Sequence, residues 1–385
     1  MSSPRFTQAF ADVPGKTLRF HIQNVDVSAV NALRRVLLSN IPNVAIRFDP
    51  YNETDHDVNI IINTGCLHNE FLSHRMSLIP ICMQPEDIDA FEKARSYKYV
   101  IHKKNQTNAI INVTTDDIEV HDHEGVPLPK AARDALFPKD RITGDPILIT
   151  KLKPNLFQKD MGDEIHLEAF ATVGTAKDNA AWSPVSLASF YNAVDEDAAH
   201  AAFEAKMKAA GVTDSKKKAQ LRNEFNNLEK FQHYIKNDRG EPCDFVFSIE
   251  SECAMTPTYL VNKALTILAE NVAAIAAGVR EGSEKIAIES TADMCQLILR
   301  GETHTIGNLL QAQIYNKHVR DDETKELEYV GYLCPHPLDK TAILKFKFRD
   351  GVFSNDDARA EWIAAAIGGV HTHLLELGKL AQSLP

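Results

Sequence analysis

One short sequence pattern occurs twice in this chain, 277 residues apart, and each occurrence predicts a strand followed by a helix. The segment QNVDVSAVNALRRVL (23–37) aligns without a gap with RGETHTIGNLLQAQI (300–314). The matched pairs are Ser28 with Thr305, Asn31 with Asn308, Leu33 with Leu310 and Leu37 with Ile314. Strand–helix units are common and resemble one another, but this match also extends to the elements that follow, so an internal duplication is the better explanation.

Both copies continue in the same order. In the first copy, residues 17–22 alternate apolar and polar, which predicts a half-buried strand. Ser28 then opens a helix with an apolar face, and Pro42 ends it. In the second copy the predicted helix starts at Thr305 and its apolar face includes Leu309. Further strands are predicted at 164–173 and 342–348, and long amphipathic helices at 256–279 and 355–382.

Helix packing gives a physical reason for duplicating an amphipathic unit. One unit leaves helices without a packing partner, and a second copy can cover them about an approximate two-fold axis, as homodimers do. The stretch at 278–285 has the composition of a linker between the copies. The first copy also carries about 115 additional residues, with predicted short strands at 57–64, 109–115 and 145–152 and a helical segment at 67–81. A polar, lysine-rich helical stretch at 195–237 precedes its last strand.

Composition limits the classes of partner and compartment. The 385 residues predict two to three domains, and the net charge of −11 makes the chain a poor binder of nucleic-acid backbones, so protein partners are expected. We find no signal peptide and no apolar run of about 18 residues, so neither secretion nor a membrane span is expected. The six cysteines fit neither a disulfide framework nor a zinc site, which indicates reduced thiols in an intracellular protein without a cofactor.

Four segments together resemble one known family. They are NALRRVLLSNIPNVAI (31–46), LHNEFLSHRMSLIPI (67–81), TVGTAKDNAAWSPV (172–185) and HTIGNLL with VGYLCPHPL (within 304–338). The chain is similar here to the alpha-like assembly subunits of cellular-type DNA-directed RNA polymerases. The first three segments resemble the third-largest eukaryotic subunit and its archaeal D-like counterpart, and the last resembles the eleventh eukaryotic subunit and its archaeal L-like counterpart. Having both in one chain is similar to the fused subunit of large DNA viruses.

The resemblance implies an α+β fold in which two related dimerisation units form an internal pseudo-dimer, so that no homo-oligomer is needed. It divides the chain into a first dimerisation unit, a mostly β insert domain in that unit, and a second dimerisation unit. The expected boundaries are 1–47 and 163–285 for the first dimerisation unit (with the helical insertion at 195–237), 48–162 for the insert domain, and 286–385 for the second dimerisation unit.

The resemblance also implies the function. Such a subunit is a non-catalytic assembly platform that binds the largest and second-largest polymerase subunits and small zinc-binding subunits. It has no catalytic residue, cofactor or metal of its own, no sequence-specific DNA binding and no membrane contact. The expected location is the nucleus or cytoplasm, or the viral factory or virion if the protein is viral.

Arg34 and Arg35 match the helix edge by which this family meets the second-largest subunit. Arginine suits such a place because its planar guanidinium pairs bidentately with carboxylates at desolvated interfaces. A solvated basic edge is the alternative. The remaining residues that the matched motifs assign to subunit interfaces are Asn31, Leu33, Leu37, Glu70, His74, Arg75, Thr305, Asn308, Leu309, Leu310, His336 and Pro337.

The sequence departs from the family pattern in two places, and it leaves two alternative functions to be considered. The family carries His-Ala-Lys before Trp182, where this chain has Asn179-Ala180-Ala181, and the cysteine spacing of the family's metal-binding insert is absent. The alternative functions are a metal-dependent hydrolase that uses the His/Asp clusters at 54–59 and 120–125, and a free scaffold unrelated to polymerase. Both clusters fall where we expect solvated loops, and Glu70 and His74, four residues apart on a helix, are expected to be a surface pair.

Overall fold

The computed structural model describes residues 3–49, 56–91, 97–155, 157–158, 162–211, 215–291, 294–320, 326–353 and 355–384. The chain folds into two compact units of mixed helix and sheet. The first unit comprises Met1–Leu37, Leu187–Glu250 and Pro257–Pro385. The second unit comprises Leu38–Ser186 and Ser251–Thr256.

The described strands are β1 (Arg5–Phe10), β2 (Thr17–Gln23), β3 (Pro42–Ala45), β4 (Val58–Asn63), β5 (Lys98–Lys104), β6 (Ile111–Thr114), β7 (Glu119–His121), β8 (Leu148–Leu152), β9 (Glu164–Phe170), β10 (Thr172–Thr175), β11 (Val185–Asn192), β12 (Asp244–Ser251), β13 (Ile286–Ser290), β14 (Cys295–Arg300), β15 (Leu327–Leu333) and β16 (Thr341–Phe348). The described helices are α1 (Val27–Ser39), α2 (Asn69–Ser77), α3 (Pro85–Asp89), α4 (Lys130–Leu136), α5 (Glu196–Ala210), α6 (Ser215–Leu228), α7 (Pro257–Glu281), α8 (His304–Ile314) and α9 (Asp356–Ala381).

The two sequence copies have matching sheets. The strand order is β1-β2-β12-β11 in the first sheet and β13-β14-β16-β15 in the second. Their central pairs are antiparallel, with Phe20 opposite Phe247 in one and Leu297 opposite Leu344 in the other. All four side chains are fully buried, and Phe20 and Leu297 are separated by the 277-residue offset of the sequence match. The structure therefore shows two related sheet-and-helix copies in tandem.

The two short helices begin at matching positions, one residue earlier than the sequence pattern predicted. Ser28 and Thr305 were expected to open them, but α1 starts at Val27 and α8 at His304. Asp26 is the reason in the first copy, because its Oδ1 accepts a hydrogen bond from the backbone N–H of Ser28 at 2.8 Å. Thr303 occupies the equivalent position before α8.

The long helices α7 and α9 pack against each other within the first unit. Each carries a continuous stripe of buried small and branched apolar residues at helical spacing. The predicted linker at 278–285 is shorter than expected, because α7 continues to Glu281. Gly282 then ends the helix in the left-handed region (φ +82°), a conformation that glycine adopts without a steric penalty.

One described helix, α7, is long and apolar enough to cross a membrane by length and composition, whereas the sequence was expected to contain no such stretch. Half of its most apolar window is buried inside the protein, where it packs against α9. A core helix of a soluble protein passes the same test, so this single helix is weak evidence for a membrane span.

The second unit is built on the sheet β4-β9-β5-β7, with two-stranded ribbons β6-β8 and β10-β3. Strand β9 is central, because Leu167 lies opposite Ile60 of β4 on one side and Ile101 of β5 on the other. The sequence division assigned residues from 163 onward to the first dimerisation unit. In the structure β9 pairs with β4 and β5 and lies in the compact second unit, Leu38–Ser186 with Ser251–Thr256. The functional boundaries at 47 and 163 stay a prediction.

The lysine-rich helical stretch predicted at 195–237 contains two helices, α5 and α6. They enclose a small core of their own, formed by Ala199, Phe203, Met207 and Phe225. Asp195 caps α5 by accepting a hydrogen bond from the backbone N–H of Ala198 at 2.9 Å. The insertion is therefore a folded helical hairpin between β11 and β12.

Candidate subunit interface

Four of the expected interface residues are part of the protein's own core. Leu33, Leu37, Leu309 and Leu310 are at most 2% exposed. They form the inward faces of α1 and α8 in the first unit. They stabilise this chain, and a second chain cannot reach them while the unit is folded.

Two hydrogen bonds connect the α1 region of the first copy with the α8 region of the second. Arg35 Nε donates to Thr305 Oγ1 at 2.6 Å, and Asn316 Nδ2 donates to Asp26 Oδ2 at 3.2 Å. The first bond joins the later part of α1 to the start of α8. The second joins the residue before α1 to the π-helical segment Tyr315–Arg320, which follows α8 directly. In both bonds, the later part of one helix region contacts the start of the other.

Arg34 differs from Arg35 in what it contacts. Its Nε donates to Asn31 Oδ1 at 3.0 Å, within the same helix, and its side chain is half-buried. This bond orients the guanidinium group and leaves its terminal nitrogens without a further hydrogen bond among the described residues. Arg34 is therefore the better candidate for contact with another chain, while Arg35 is already used between the two copies.

Charged pairs also link the two copies. Arg320, at the end of the π-helical segment after α8, forms two hydrogen bonds with the Glu241 carboxylate at 2.6 and 3.1 Å. This guanidinium, together with Asn237, lowers the pKa of Glu241. Arg280 of α7 and Glu361 of α9 are 3.2 Å apart. These ion pairs are largely exposed, so they contribute less to the stability of the fold than the buried apolar stripes of α7 and α9 do.

The surroundings of His373 on α9 shift its pKa in opposite directions. Its side chain is 25% exposed, and its burial lowers the pKa below the ordinary 6.5 although Glu376, 4.0 Å away, and Asp26 favour protonation. His373 lines a cavity of about 630 Å³ together with Lys317 and His318 of the π-helical segment after α8. The structure therefore holds His373 in its neutral form more strongly than the unfolded chain does.

This difference predicts a pH dependence of stability. Below about pH 6.5 the unfolded chain takes up a proton at His373 more readily than the folded protein, so the free energy of unfolding decreases as the pH falls through that range. We expect His373→Gln, which keeps a neutral polar group, to lose less stability between neutral and mildly acidic pH. Urea unfolding at both pH values measures this, and identical losses in the two proteins would contradict it.

The second unit carries three expected interface residues on α2. Glu70 and His74 are exposed, as a surface pair should be. Arg75 is exposed too, but Nε donates to Ile149 O at 2.7 Å and Nη2 to Leu148 O at 2.6 Å. Its guanidinium group therefore fastens α2 to the backbone of β8, which the sequence pattern did not indicate.

Exposed apolar side chains accompany these polar residues, and sequence reasoning missed them. Phe71 of α2 is 65% exposed and Leu78, which follows the helix, is 56% exposed. In the first unit, the loop between β15 and β16 exposes His336 and Pro337 together with Leu338, which is 83% exposed. Large apolar residues among polar neighbours were the available signal, and it is a weak one because isolated exposed leucines are common.

The segment that departs from the family pattern has a structural role. Asn179 Oδ1 accepts a hydrogen bond from Ala181 N at 2.9 Å and caps a short 3-10 turn. Trp182 Nε1 donates to Thr172 O at 2.9 Å. A Cβ atom at Gly174 would lie 2.6 Å from the Trp182 ring, so only glycine fits there without rearrangement.

The His/Asp clusters do not form a shared site among the described residues. Thr54 and Asp55 lie outside the described part of the chain. Asp57 was expected in a solvated loop, but it is 5% exposed. Its Oδ2 accepts from Thr172 Oγ1 at 2.8 Å and from the backbone N–H of Arg47 at 3.0 Å, because a buried carboxylate needs donors.

The second cluster forms a turn, in which Asp122 Oδ1 accepts from the backbone N–H groups of Glu124 and Val126. Across the ranges that the structure describes, no group of three or more His, Cys, Asp or Glu side chains is placed to hold a metal ion. Independence from metal remains a prediction.

Comparison with known protein families gives two matches, and both are to the same kind of domain. The RNA polymerase Rpb3/Rpb11 dimerisation domain matches residues 19–272 and matches again at residues 294–376. The first match alone spans well over half of the chain. The two matches coincide with the two copies that the sheets and helices show.

Individual relatives are polymerase subunits. The chain is 30% identical over 184 residues to "DNA-directed RNA polymerases IV and V subunit 3B" of Arabidopsis thaliana, covering 45% of the chain and 52% of the relative. It is 26% identical over 304 residues to "DNA-directed RNA polymerases I and III subunit RPAC1" of Saccharomyces cerevisiae, covering 68% and 84%. It is 26% identical over 173 residues to "DNA-directed RNA polymerase subunit Rpo3" of Methanobrevibacter smithii, covering 44% and 52%. The chain thus spans about half the length of the plant and archaeal relatives.

Proposed function

Because the chain belongs to the RNA polymerase Rpb3/Rpb11 dimerisation-domain family, we propose that it is a non-catalytic assembly platform of a multisubunit DNA-directed RNA polymerase. The observation that carries this proposal is the pair of matching sheet-and-helix units within one chain. A catalytic role would need a convergent set of reacting groups in a pocket. The acidic residues of the two His/Asp clusters, Asp57 and Asp122, instead accept hydrogen bonds from backbone N–H groups and a hydroxyl group close by.

In this proposal the two copies form an internal pseudo-dimer. Three observations support it: the matching strand orders of the two sheets, the packing of α7 on α9, and the hydrogen bonds Arg35–Thr305 and Asn316–Asp26 between the two copies. Fusion supplies the partner unit in the same chain at an effective concentration of about millimolar. A second copy of the protein is then unnecessary.

The proposed partners are the largest and second-largest polymerase subunits and small zinc-binding subunits. Arg34 supports the contact with the second-largest subunit, because its terminal nitrogens form no further hydrogen bond among the described residues at the edge of α1. The exposed α2 residues Glu70, His74, Phe71 and Leu78 offer the second unit's contribution. The tandem of both family units supports a fused subunit like that of large DNA viruses, working inside the cell, in the nucleus, the cytoplasm or a viral factory.

Two other functions stay as alternatives that one experiment separates. A metal-dependent hydrolase or a free scaffold would purify without polymerase subunits. We expect native affinity purification, followed by mass spectrometry, to recover two very large polymerase subunits with this chain. Recovery of the chain without them would reject the assembly function.

Arg34 gives this proposal a residue-level test. Arg34→Ala should leave folding intact and weaken assembly by roughly 2–4 kcal/mol, the usual cost of truncating a central interface arginine. The amount of large subunit that co-purifies at limiting concentration measures the effect.

The matched control is Arg35→Ala, which removes the bond to Thr305 inside the chain. We expect it to change the unfolding midpoint of the free protein more than Arg34→Ala does. An Arg34→Ala protein that joins the polymerase with unchanged affinity would refute the role of Arg34.

A further inference from the structure

The hairpin of α5 and α6 concentrates positive charge at the end where the two helices meet. α5 ends at Ala210 and α6 begins at Ser215, so residues just before and just after the connection share that end. Residues 208–218, around that end, contain four lysines and one acidic residue, a net charge of +3 in a chain of net charge −11. The charge of this surface is thus opposite to that of the protein as a whole.

The cations nearer the other end of the hairpin have partners within it. Lys206 pairs with Glu229, and Lys230 pairs with Glu196 at 2.8 Å. Arg222 lies over the Phe203 ring, 5.2 Å from its centre. At the basic end, by contrast, the exposed side chains of Lys208, Lys217 and Lys218 form no ion pair within the described residues.

The position of these lysines works against the stability of α6. Lys216, Lys217 and Lys218 occupy its first turn, which contains no acidic residue. Positive side chains are unfavourable there, because the unpaired N–H groups at the start of a helix already carry partial positive charge. A sequence that breaks a local rule without a structural gain points to a functional use. The separate core around Phe203 and Phe225 keeps the hairpin folded despite this cost.

We propose that this basic end, formed by Lys208, Lys217 and Lys218, contacts the phosphate backbone of duplex DNA without reading its sequence. The proposal rests on the polymerase function above, since a platform for an enzyme that transcribes DNA works beside a duplex. Lysine ammonium groups bind phosphates as point charges without fixed geometry, whereas desolvated contact with protein carboxylates favours arginine. The N–H groups at the start of α6 add to the attraction for phosphate.

The test measures binding of the full-length chain to a fluorescent DNA duplex of arbitrary sequence by anisotropy at several salt concentrations. Three phosphate contacts predict a log–log slope of about −3 and about 40-fold weaker binding between about 50 and about 200 mM salt. Lys217→Ala/Lys218→Ala should reduce the slope to about −1, because two contacts are lost. It should not lower the unfolding midpoint, since both side chains oppose the helix dipole.

The matched control is Lys285→Ala/Lys340→Ala, which removes two exposed lysines elsewhere in the first unit. We expect this variant to keep the wild-type slope. Equal slopes for the two double variants, or no salt-dependent binding by the wild type, would overturn the proposal, and the latter result would be expected if an acidic protein were the partner. Because the assay uses the isolated chain, failure to recover polymerase subunits in the purification would reject the assembly function and leave this measurement interpretable.

Discussion

Cutting the chain after α7 is expected to leave its two halves bound to each other. We would insert a protease site after Gly282, fold the protein, cleave it and apply it to size exclusion at micromolar concentration. Residues 281–285 are exposed, so an insertion there should be tolerated. The fragments should co-elute, because the buried stripes of α7 and α9 lie in one compact unit and association stronger than about −8 kcal/mol persists at that concentration.

The uncut protein with the same insertion is the control, and it should elute at the same volume. Fragments that separate and remain individually folded would show that the halves are independent domains. The repeated pattern at 23–37 and 300–314 would then reflect only the common form of strand–helix units. The internal pseudo-dimer would be rejected, while membership of the polymerase family would be unaffected.

Ile367→Ala is expected to destabilise the protein by about 2–5 kcal/mol, the usual cost of removing a buried isoleucine side chain to Ala. Ile367 is fully buried in the stripe of α9 that also includes Ile363, Val370 and Leu374. Truncation leaves a cavity that the close-packed helix pair cannot fill without strain. Urea unfolding with an unchanged slope against denaturant measures the change.

Leu375→Ala is the matched control on the same helix, because Leu375 is 46% exposed. Its effect should stay within about 0.5 kcal/mol, as for other surface changes. In the cleaved protein, Ile367→Ala should also weaken the association of the fragments, whereas Leu375→Ala should not. Equal effects of the two substitutions would place the packing of α9 elsewhere.

Local patterns predicted most elements of both copies, because period and capping depend on near neighbours in the chain. The long helix at 256–279 and the strands at 342–348 and 57–64 are present close to their predicted bounds. Helix starts were displaced by one residue, since the capping group is Asp26 rather than Ser28. Such a choice depends on side-chain geometry that several nearby polar residues can satisfy.

The candidate site was harder to predict than the fold. The apolar positions Leu33 and Leu310 were correctly placed on helix faces, yet a face pattern does not say whether the partner belongs to the same chain or to another. In the folded chain both side chains are buried within the first unit. Arg34 and Arg35 are neighbours with the same chemistry, and only the folded chain shows that Arg34 contacts Asn31 whereas Arg35 contacts Thr305.

The sequence by itself determined the duplication, the order of elements and the relationship to polymerase subunits. Each of these follows from residues close together in the chain or from an ungapped alignment. Contacts between distant segments required the folded chain. β9 joins the insert sheet because its hydrogen-bonding edges meet β4 and β5, which lie 100 and 60 or more residues earlier. Arg75 reaches the carbonyls of β8, 73 and 74 residues away, and Arg35 reaches Thr305, 270 residues away. No local period encodes such pairings, since the geometry that selects them exists only once the cores have packed.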